Sequence, residues 1–139
     1  MEVKHLLSES ATWITDSEFI DRDGKVSEGE GQSEIKVDGD VITNRSHVIV
    51  GDEMILNDYV IVKKSGRDFD FTSDNPSLGK QRGKFHLSGD TMFSKFIVEG
   101  TDMNGFEIIT RDDKICYAEG ALYDNDEIIN TWAAVMTKK

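Results

Sequence analysis

Cysteine, proline and basic residues are scarce in this chain of 139 residues. The single Cys116 excludes an intramolecular disulfide, and the single Pro76 lies in the serine- and glycine-containing stretch SDNPSLG rather than in an apolar segment. Lys and Arg total 16 against 27 Asp and Glu, which gives a net charge of -11. Because nucleic-acid binding needs clustered basic residues, we expect no nucleic-acid partner.

Long apolar runs and familiar catalytic motifs are also missing. No segment approaches the roughly 20 apolar residues that cross a bilayer, and the first ten residues are too short and too polar for a secretory signal. We therefore expect one cytoplasmic domain over residues 1–139, without membrane insertion. The chain contains no Gly-x-Ser-x-Gly elbow and no glycine-rich phosphate loop after a strand. No cofactor is predicted.

One stretch, DRDGKVSEGE at 21–30, has the spacing of most of a calcium-binding loop. When Gly24 is placed at the sixth loop position, the first ligand position falls on Phe19, which has no side-chain oxygen. The flanking segments alternate like strands rather than helices, so we interpret the stretch as a hairpin connection. His47 and His86 have no second His or Cys at ligand spacing, and we predict no metal site.

Turn signals recur about every ten residues from Ala11 onward, most of them containing Gly or Asp. Between them lie about ten segments of strand length, rich in Val, Ile, Phe, Thr and Tyr. Only the first ten residues look helical, with Val3, Leu6 and Leu7 on one stripe. The pattern predicts an all-β protein, an antiparallel up-and-down barrel of about ten strands with a short N-terminal helix.

This layout resembles the calycin group, which contains the lipocalins and the cytosolic fatty-acid-binding proteins. Trp13, in Ala11-Thr12-Trp13, stands where lipocalins carry Gly-x-Trp, but the last predicted strand, EIINTWAAVM, has no Arg to pack over it as the late Arg of lipocalins does. A tight turn replaces the two helices that fatty-acid-binding proteins insert after their first strand, and their Arg-x-Tyr motif is absent around Tyr117 and Tyr123. The resemblance implies a barrel that holds a small apolar ligand.

Alternation along the strands groups the candidate ligand-binding side chains. Arg45 and His47 share one face of VITNRSHVIV, and Tyr59 shares a face of the next strand with Ile55 and Ile61. If the corresponding faces of the late strands point inward, the lumen also holds Arg111, Glu119, the two tyrosines Tyr117 and Tyr123, and Trp132. The candidates are Arg45, His47, Tyr59, Arg111, Tyr117, Glu119 and Trp132. Such a mixture suits a small hydrophobic molecule with a polar handle.

Several of these residues have a plainer interpretation. Arg111 is followed by two Asp residues, which is typical of a solvent-facing strand end, Glu119 is a candidate for solvent exposure, and Trp132 is a candidate for the core. The segment EMILNDYVIVKK is apolar on both faces, so one face is expected to meet a second subunit or the N-terminal helix. We expect a homodimer.

Three functions follow from these observations. The first is the binding of a small apolar or amphipathic ligand inside the barrel. The second is an enzyme of the isomerase or lyase type that uses the same cavity, with Glu119 and Tyr117 as the pair to test. The third is a homo-oligomeric structural domain whose barrel is filled by its own side chains. A cavity of roughly 300 Å³ or more distinguishes the first two from the third.

Overall fold

The computed structural model describes residues 3–139, and strands make up most of them. The ten strands are β1 Ala11–Asp21, β2 Val26–Asp38, β3 Val41–Val50, β4 Glu53–Lys63, β5 Asp68–Asn75, β6 Gly79–Ser88, β7 Thr91–Val98, β8 Met103–Asp112, β9 Ile115–Asp124 and β10 Glu127–Lys138. The predicted all-β architecture is confirmed. In the part of the chain that the structure describes, no helix has the length and hydropathy needed to cross a membrane.

The ten strands form one closed antiparallel barrel in sequence order. Each strand pairs with the next one along the chain, and β1 closes the barrel by pairing with β10, where Phe19 lies opposite Trp132. Closure leaves no open sheet edge among residues 3–139, because each strand has a hydrogen-bonded neighbour on both sides. The up-and-down barrel predicted from the turn spacing is therefore confirmed.

The calcium-like stretch begins with the turn between β1 and β2. Gly24 has a φ of +83°, a conformation that glycine adopts without strain. One oxygen of Asp21, Oδ1, accepts hydrogen bonds from the backbone N–H groups of Asp23 and Lys25, at 2.9 Å each. The carboxylate thus stabilises a hairpin turn, as the flanking alternation predicts.

The prediction of a helix over the first ten residues is wrong for residues 3–10, while residues 1–2 lie outside the described part of the chain. A single turn is present, in which the Ser8 N–H donates to the His5 carbonyl at 3.2 Å and the His5 N–H donates to Ser8 Oγ at 2.9 Å. These local bonds compete with helical ones, and one turn is too short to propagate a helix. The turn buries both Leu6 and Leu7 against the barrel.

Residues 3–10 cover one end of the barrel, which we call the plugged end. The largest apolar side chains of the inner face concentrate there, next to Leu6 and Leu7. They are Trp13, Ile35, Ile42, Ile61, Phe69, Phe85, Leu87, Met92, Ile109 and Met136. Strict alternation separates this core from solvent: along β6, Gln81, Phe85 and Leu87 are buried while Arg82 and Lys84 are exposed. The hydrophobic core therefore occupies one half of the barrel interior.

Candidate functional site

The barrel interior also holds a cavity of about 400 Å³, which extends from this core toward the opposite end. Every strand contributes at least one side chain to its wall, and Leu6 and Leu7 form its floor at the plugged end. Glu53, at the start of β4 and exposed to solvent, also lines it, so the cavity reaches the surface at the opposite end of the barrel. The site is therefore an internal pocket with a solvent-facing mouth.

The wall of the cavity is divided between apolar and polar side chains. Toward the plugged end it consists of leucine, methionine and phenylalanine side chains, among them Phe85, Met92 and Met136. Hydroxyl and amide groups cover much of the remainder. They belong to Thr15, Ser17, Ser33, Asn44, Ser46, Asn57, Asn75, Ser77, Gln81, Ser94 and Asn130. A wall of this composition can bury an apolar body and still hydrogen-bond a polar group.

Several of these polar groups are buried without a hydrogen-bond partner among the described residues. The Oδ1 atoms of Asn44, Asn57 and Asn130 and the Oγ1 atom of Thr15 are in this position. Leaving a buried polar atom unpaired costs about 1–3 kcal/mol, so such atoms concentrate where a molecule other than the protein supplies the partner. All four residues line the cavity.

The most distinctive group in the cavity is the carboxyl of Glu107 on β8. Its Oε2 accepts a hydrogen bond of 2.7 Å from the indole Nε1–H of Trp132 on β10. Burial raises the pKa of Glu107, and the hydrogen bond from Trp132 opposes that rise. The carboxyl is therefore held in one orientation inside a poorly solvated space.

Gly120 on β9 makes room for Trp132. The two residues are direct cross-strand partners, and a Cβ added to Gly120 would overlap the indole ring. The ring consequently lies flat against the β9 backbone, with its N–H reaching across to Glu107 on the far side of β9. The absence of a side chain at Gly120 positions the donor.

Tyr59 on β4 also lines the cavity, with its ring 5.5 Å from that of Phe71. Burial raises the pKa of Tyr59, and the negative charge of Glu107 raises it further. The phenol is therefore neutral under ordinary conditions and can donate or accept a hydrogen bond. Tyr59 and Trp132 are the sequence-predicted site residues that the structure places in the cavity wall; ligand contact by either stays a prediction.

Arg111 points inward as well, but toward the plug rather than the cavity. Its guanidinium lies 5.1 Å from the centre of the Trp13 ring and donates to the His5 carbonyl at 3.1 Å, the Asp113 carbonyl at 2.8 Å and Glu9 Oε1 at 3.2 Å. The expectation of a solvent-facing strand end is wrong, since the residue is buried. The conclusion that no Arg packs over Trp13 is also wrong, because the Arg comes from β8 and not from the last strand.

The remaining four candidates lie on the outer surface. Arg45 is exposed, and its Nε lies 3.8 Å from Asp58 Oδ1. Asn44 and Ser46 face the cavity, so His47, which alternates with them along β3, faces outward with Arg45. On β9, Cys116 and Ala118 are buried, which turns Tyr117 and Glu119 outward. The prediction that Tyr117 and Glu119 share a lumen with Trp132 is therefore wrong. Cross-strand partners lie on the same face of a sheet. Trp132 is paired with Gly120, whereas Glu119 is paired with the outward-facing Ala133.

Sequence reasoning passed over Glu107, although the signal was available. Glu107 has the same parity on β8 as Arg111 and Ile109, both of which are buried. A carboxyl that shares a strand face with a buried Ile must be paired, neutralised or functional. Applying that argument to β8 rather than to β9 would have found it.

No protein-family model matches the chain, and no curated protein matches it in sequence. Among solved structures, the chain is similar to the structure of EF1p2_mFAP2b bound to DFHBI, with a TM-score of 0.44 and 16% sequence identity, over 94% of this chain and 93% of that chain. The barrel described above rests on the strand pairing of this chain itself.

Proposed function

We propose that this protein binds a small apolar or amphipathic molecule inside its barrel. The observation that carries the proposal is the cavity of about 400 Å³, which has an apolar floor and a wall of hydrogen-bonding groups. Ligand pockets begin at roughly 300 Å³ and combine a mostly apolar lining with a few polar groups that orient the ligand. The hydroxyl and amide side chains of the wall, among them Asn44, Asn57 and Asn130, are suited to that orienting role.

We further propose that the barrel is calycin-like. Trp13 near the start of β1 is covered by the guanidinium of Arg111 at the plugged end. This is the arrangement that the resemblance to lipocalins implies for a first-strand Trp and a late Arg. It supports a closed floor beneath an internal ligand site.

An enzyme using the same cavity is the second candidate. The pair chosen from the sequence, Tyr117 and Glu119, faces outward, so it does not serve an internal substrate. Glu107 and Tyr59 are the acid–base groups of the cavity, and the raised pKa of Glu107 is the property that a general acid or base requires. The third candidate, a barrel filled by its own side chains, is disfavoured by the cavity volume.

The binding proposal is tested with the neutral, environment-sensitive dye Nile red. We expect dye fluorescence to rise and to saturate at about one dye per chain. Ala134 lines the cavity and Ala133 next to it faces outward, so Ala134→Phe should abolish dye binding whereas Ala133→Phe should preserve it. Circular dichroism of both variants checks the fold. Absence of dye binding to the wild type, or unchanged binding by a folded Ala134→Phe variant, would contradict the proposal.

The natural ligand requires a separate experiment. Native mass spectrometry of the protein purified from its own host would reveal a retained molecule by its mass. We also propose that the protein is a cytoplasmic homodimer, since the single Cys116 is a free thiol and exposed apolar side chains such as Met54 and Leu56 cover the outside of β4.

A further inference from the structure

The charged side chains that face the cavity are all acidic. Glu107 and Glu53 are among the lining residues, and within residues 3–139 no Lys, Arg or His side chain lines the cavity. Arg111 is directed into the plug, where three oxygen acceptors and the Trp13 ring occupy its guanidinium. The charge of the pocket therefore opposes an anionic ligand.

One oxygen of Glu107 is free to bind a ligand. Oε2 accepts the indole N–H of Trp132, and Oε1 accepts no hydrogen bond from the described residues. Because Trp132 holds the carboxyl in place, the free oxygen has a fixed direction, and the indole ring lies beside it. A fixed carboxylate oxygen without a protein donor is a strong acceptor for the N–H groups of an ammonium ion.

The amide side chains of the wall can also hydrogen-bond a ligand. Asn44, Asn57 and Asn130 each present a side-chain oxygen without a partner among the described residues. An ammonium group has three N–H donors and no acceptor, whereas a carboxylate ligand would bring only acceptors. Each Asn amide carries N–H donors as well as an oxygen, so the wall accommodates an ammonium group, and the acidic charge of the pocket is what disfavours a carboxylate.

We infer that the cavity selects amphiphiles whose polar handle is a protonated amine, with the carboxylate of Glu107 as the counter-ion and an apolar body over the leucine and methionine floor. The inference rests on the proposed function, because it names the ligand class of the same cavity. The net charge of -11 adds to the selection by attracting cations and repelling anions. Fatty acids, which the resemblance to fatty-acid-binding proteins implies, are disfavoured ligands.

The test compares three probes with the same ten-carbon chain: decylamine, decanol and decanoate. Each displaces Nile red from the wild-type protein at neutral pH, below its micelle-forming concentration. Decylamine should bind at least about tenfold more tightly than decanol, the size of effect expected from one charge-assisted hydrogen bond, and decanoate should bind most weakly. Equal affinities for decylamine and decanol, or tightest binding of decanoate, would overturn the inference.

Glu107→Gln keeps the shape of the side chain and removes its charge. In this variant the ratio of the decylamine affinity to the decanol affinity should fall by about tenfold. Glu119→Gln is the matched control, since it removes one carboxylate from the outer face of β9 and should leave all three affinities unchanged. An equal loss of amine preference in both variants would assign the effect to net charge and overturn the role of Glu107.

A measurement on the wild type keeps the inference falsifiable if Glu107→Gln does not fold. Glu107, Glu53 and Tyr59 are the titratable side chains that line the cavity. Burial raises the pKa of Glu107 and a bound ammonium group would lower it again, so the probe should release a proton at a pH where the carboxyl of the free protein is protonated. Calorimetry below neutral pH in two buffers of different ionisation enthalpy should show proton release with decylamine and none with decanol. Equal proton exchange would contradict the inference, whereas failure of every probe to bind would instead remove the proposed function.

Discussion

At the scale of single residues, three glycines give the barrel its shape by making room for aromatic rings. Each glycine is the direct cross-strand partner of an aromatic residue, and a Cβ added to the glycine would collide with the ring of that residue. The pairs are Phe71–Gly83, Phe96–Gly105 and Trp132–Gly120. Glycine permits the sharp bending that a closed sheet requires, and the ring restores the lost packing. The third pair also positions the donor to Glu107.

Gly120→Ala tests this arrangement. The added methyl group would overlap the Trp132 ring and lie about 2.6 Å from the Phe106 carbonyl oxygen, so we expect a loss of about 1–3 kcal/mol in the free energy of unfolding. Gly66→Ala is the control, because a Cβ there has no atom within 4 Å. Urea unfolding of both variants measures the difference. Equal stability of the two variants would contradict the role assigned to Gly120.

At the scale of elements, residues 3–10 are joined to the barrel by a charged cluster around Glu9. Lys4 donates to Glu9 Oε2 at 3.1 Å, Arg111 donates to Oε1 at 3.2 Å, and Lys138 also contacts Oε1. Hydrogen bonds from Lys138, Lys4 and Arg111 lower the pKa of Glu9 from 4.5 to about 2. The cluster connects β8, β10 and the N-terminal segment. Local turn signals in the sequence do not indicate a connection between segments so far apart along the chain.

Acid should weaken this connection. A carboxyl whose pKa is lower in the folded state contributes stability above its ordinary pKa, and that contribution is lost as the pH falls from about 4.5 toward 2. Glu9→Gln should therefore lower the melting temperature at pH 7, and the difference from wild type should shrink below pH 4.5. Glu34→Gln, which removes a largely exposed pair with Lys36, should change little. A pH-independent effect of Glu9→Gln would contradict this account.

At the scale of the whole molecule, the barrel leaves exposed apolar side chains on the outside of β3 and β4, on both sides of the Arg45–Asp58 pair. Val41 and Ile49 on β3 and Met54, Leu56 and Val60 on β4 are each more than 40% exposed. Both faces of these strands are apolar in the sequence, but the barrel buries only the inner one and leaves the outer one exposed. The sequence predicts that either the N-terminal segment or a second subunit covers this face. The N-terminal segment lies at the plugged end instead, so contact with a second subunit stays a prediction.

Self-association through this face is measurable by sedimentation at tens of micromolar. We expect a dimer for the wild type and a monomer for Leu56→Lys, since a lysine would be buried unpaired at the interface. Phe93→Lys places the same charge on the exposed face of β7 and should leave the dimer intact. A monomeric wild type would contradict the prediction, and so would a Leu56→Lys variant that sediments as a dimer.

The number of strands, their approximate bounds and their up-and-down order could be predicted from the sequence, because turns and alternation are local properties. Which face of each strand points inward was decided only by the closed sheet. On β9 the inner face includes the small residues Cys116, Ala118 and Gly120, which do not stand out in the sequence, and the Trp132 ring fills the space beside Gly120. Arg111 and Trp13, like Glu107 and Trp132, are distant along the chain, and only the register of the barrel brings each pair together.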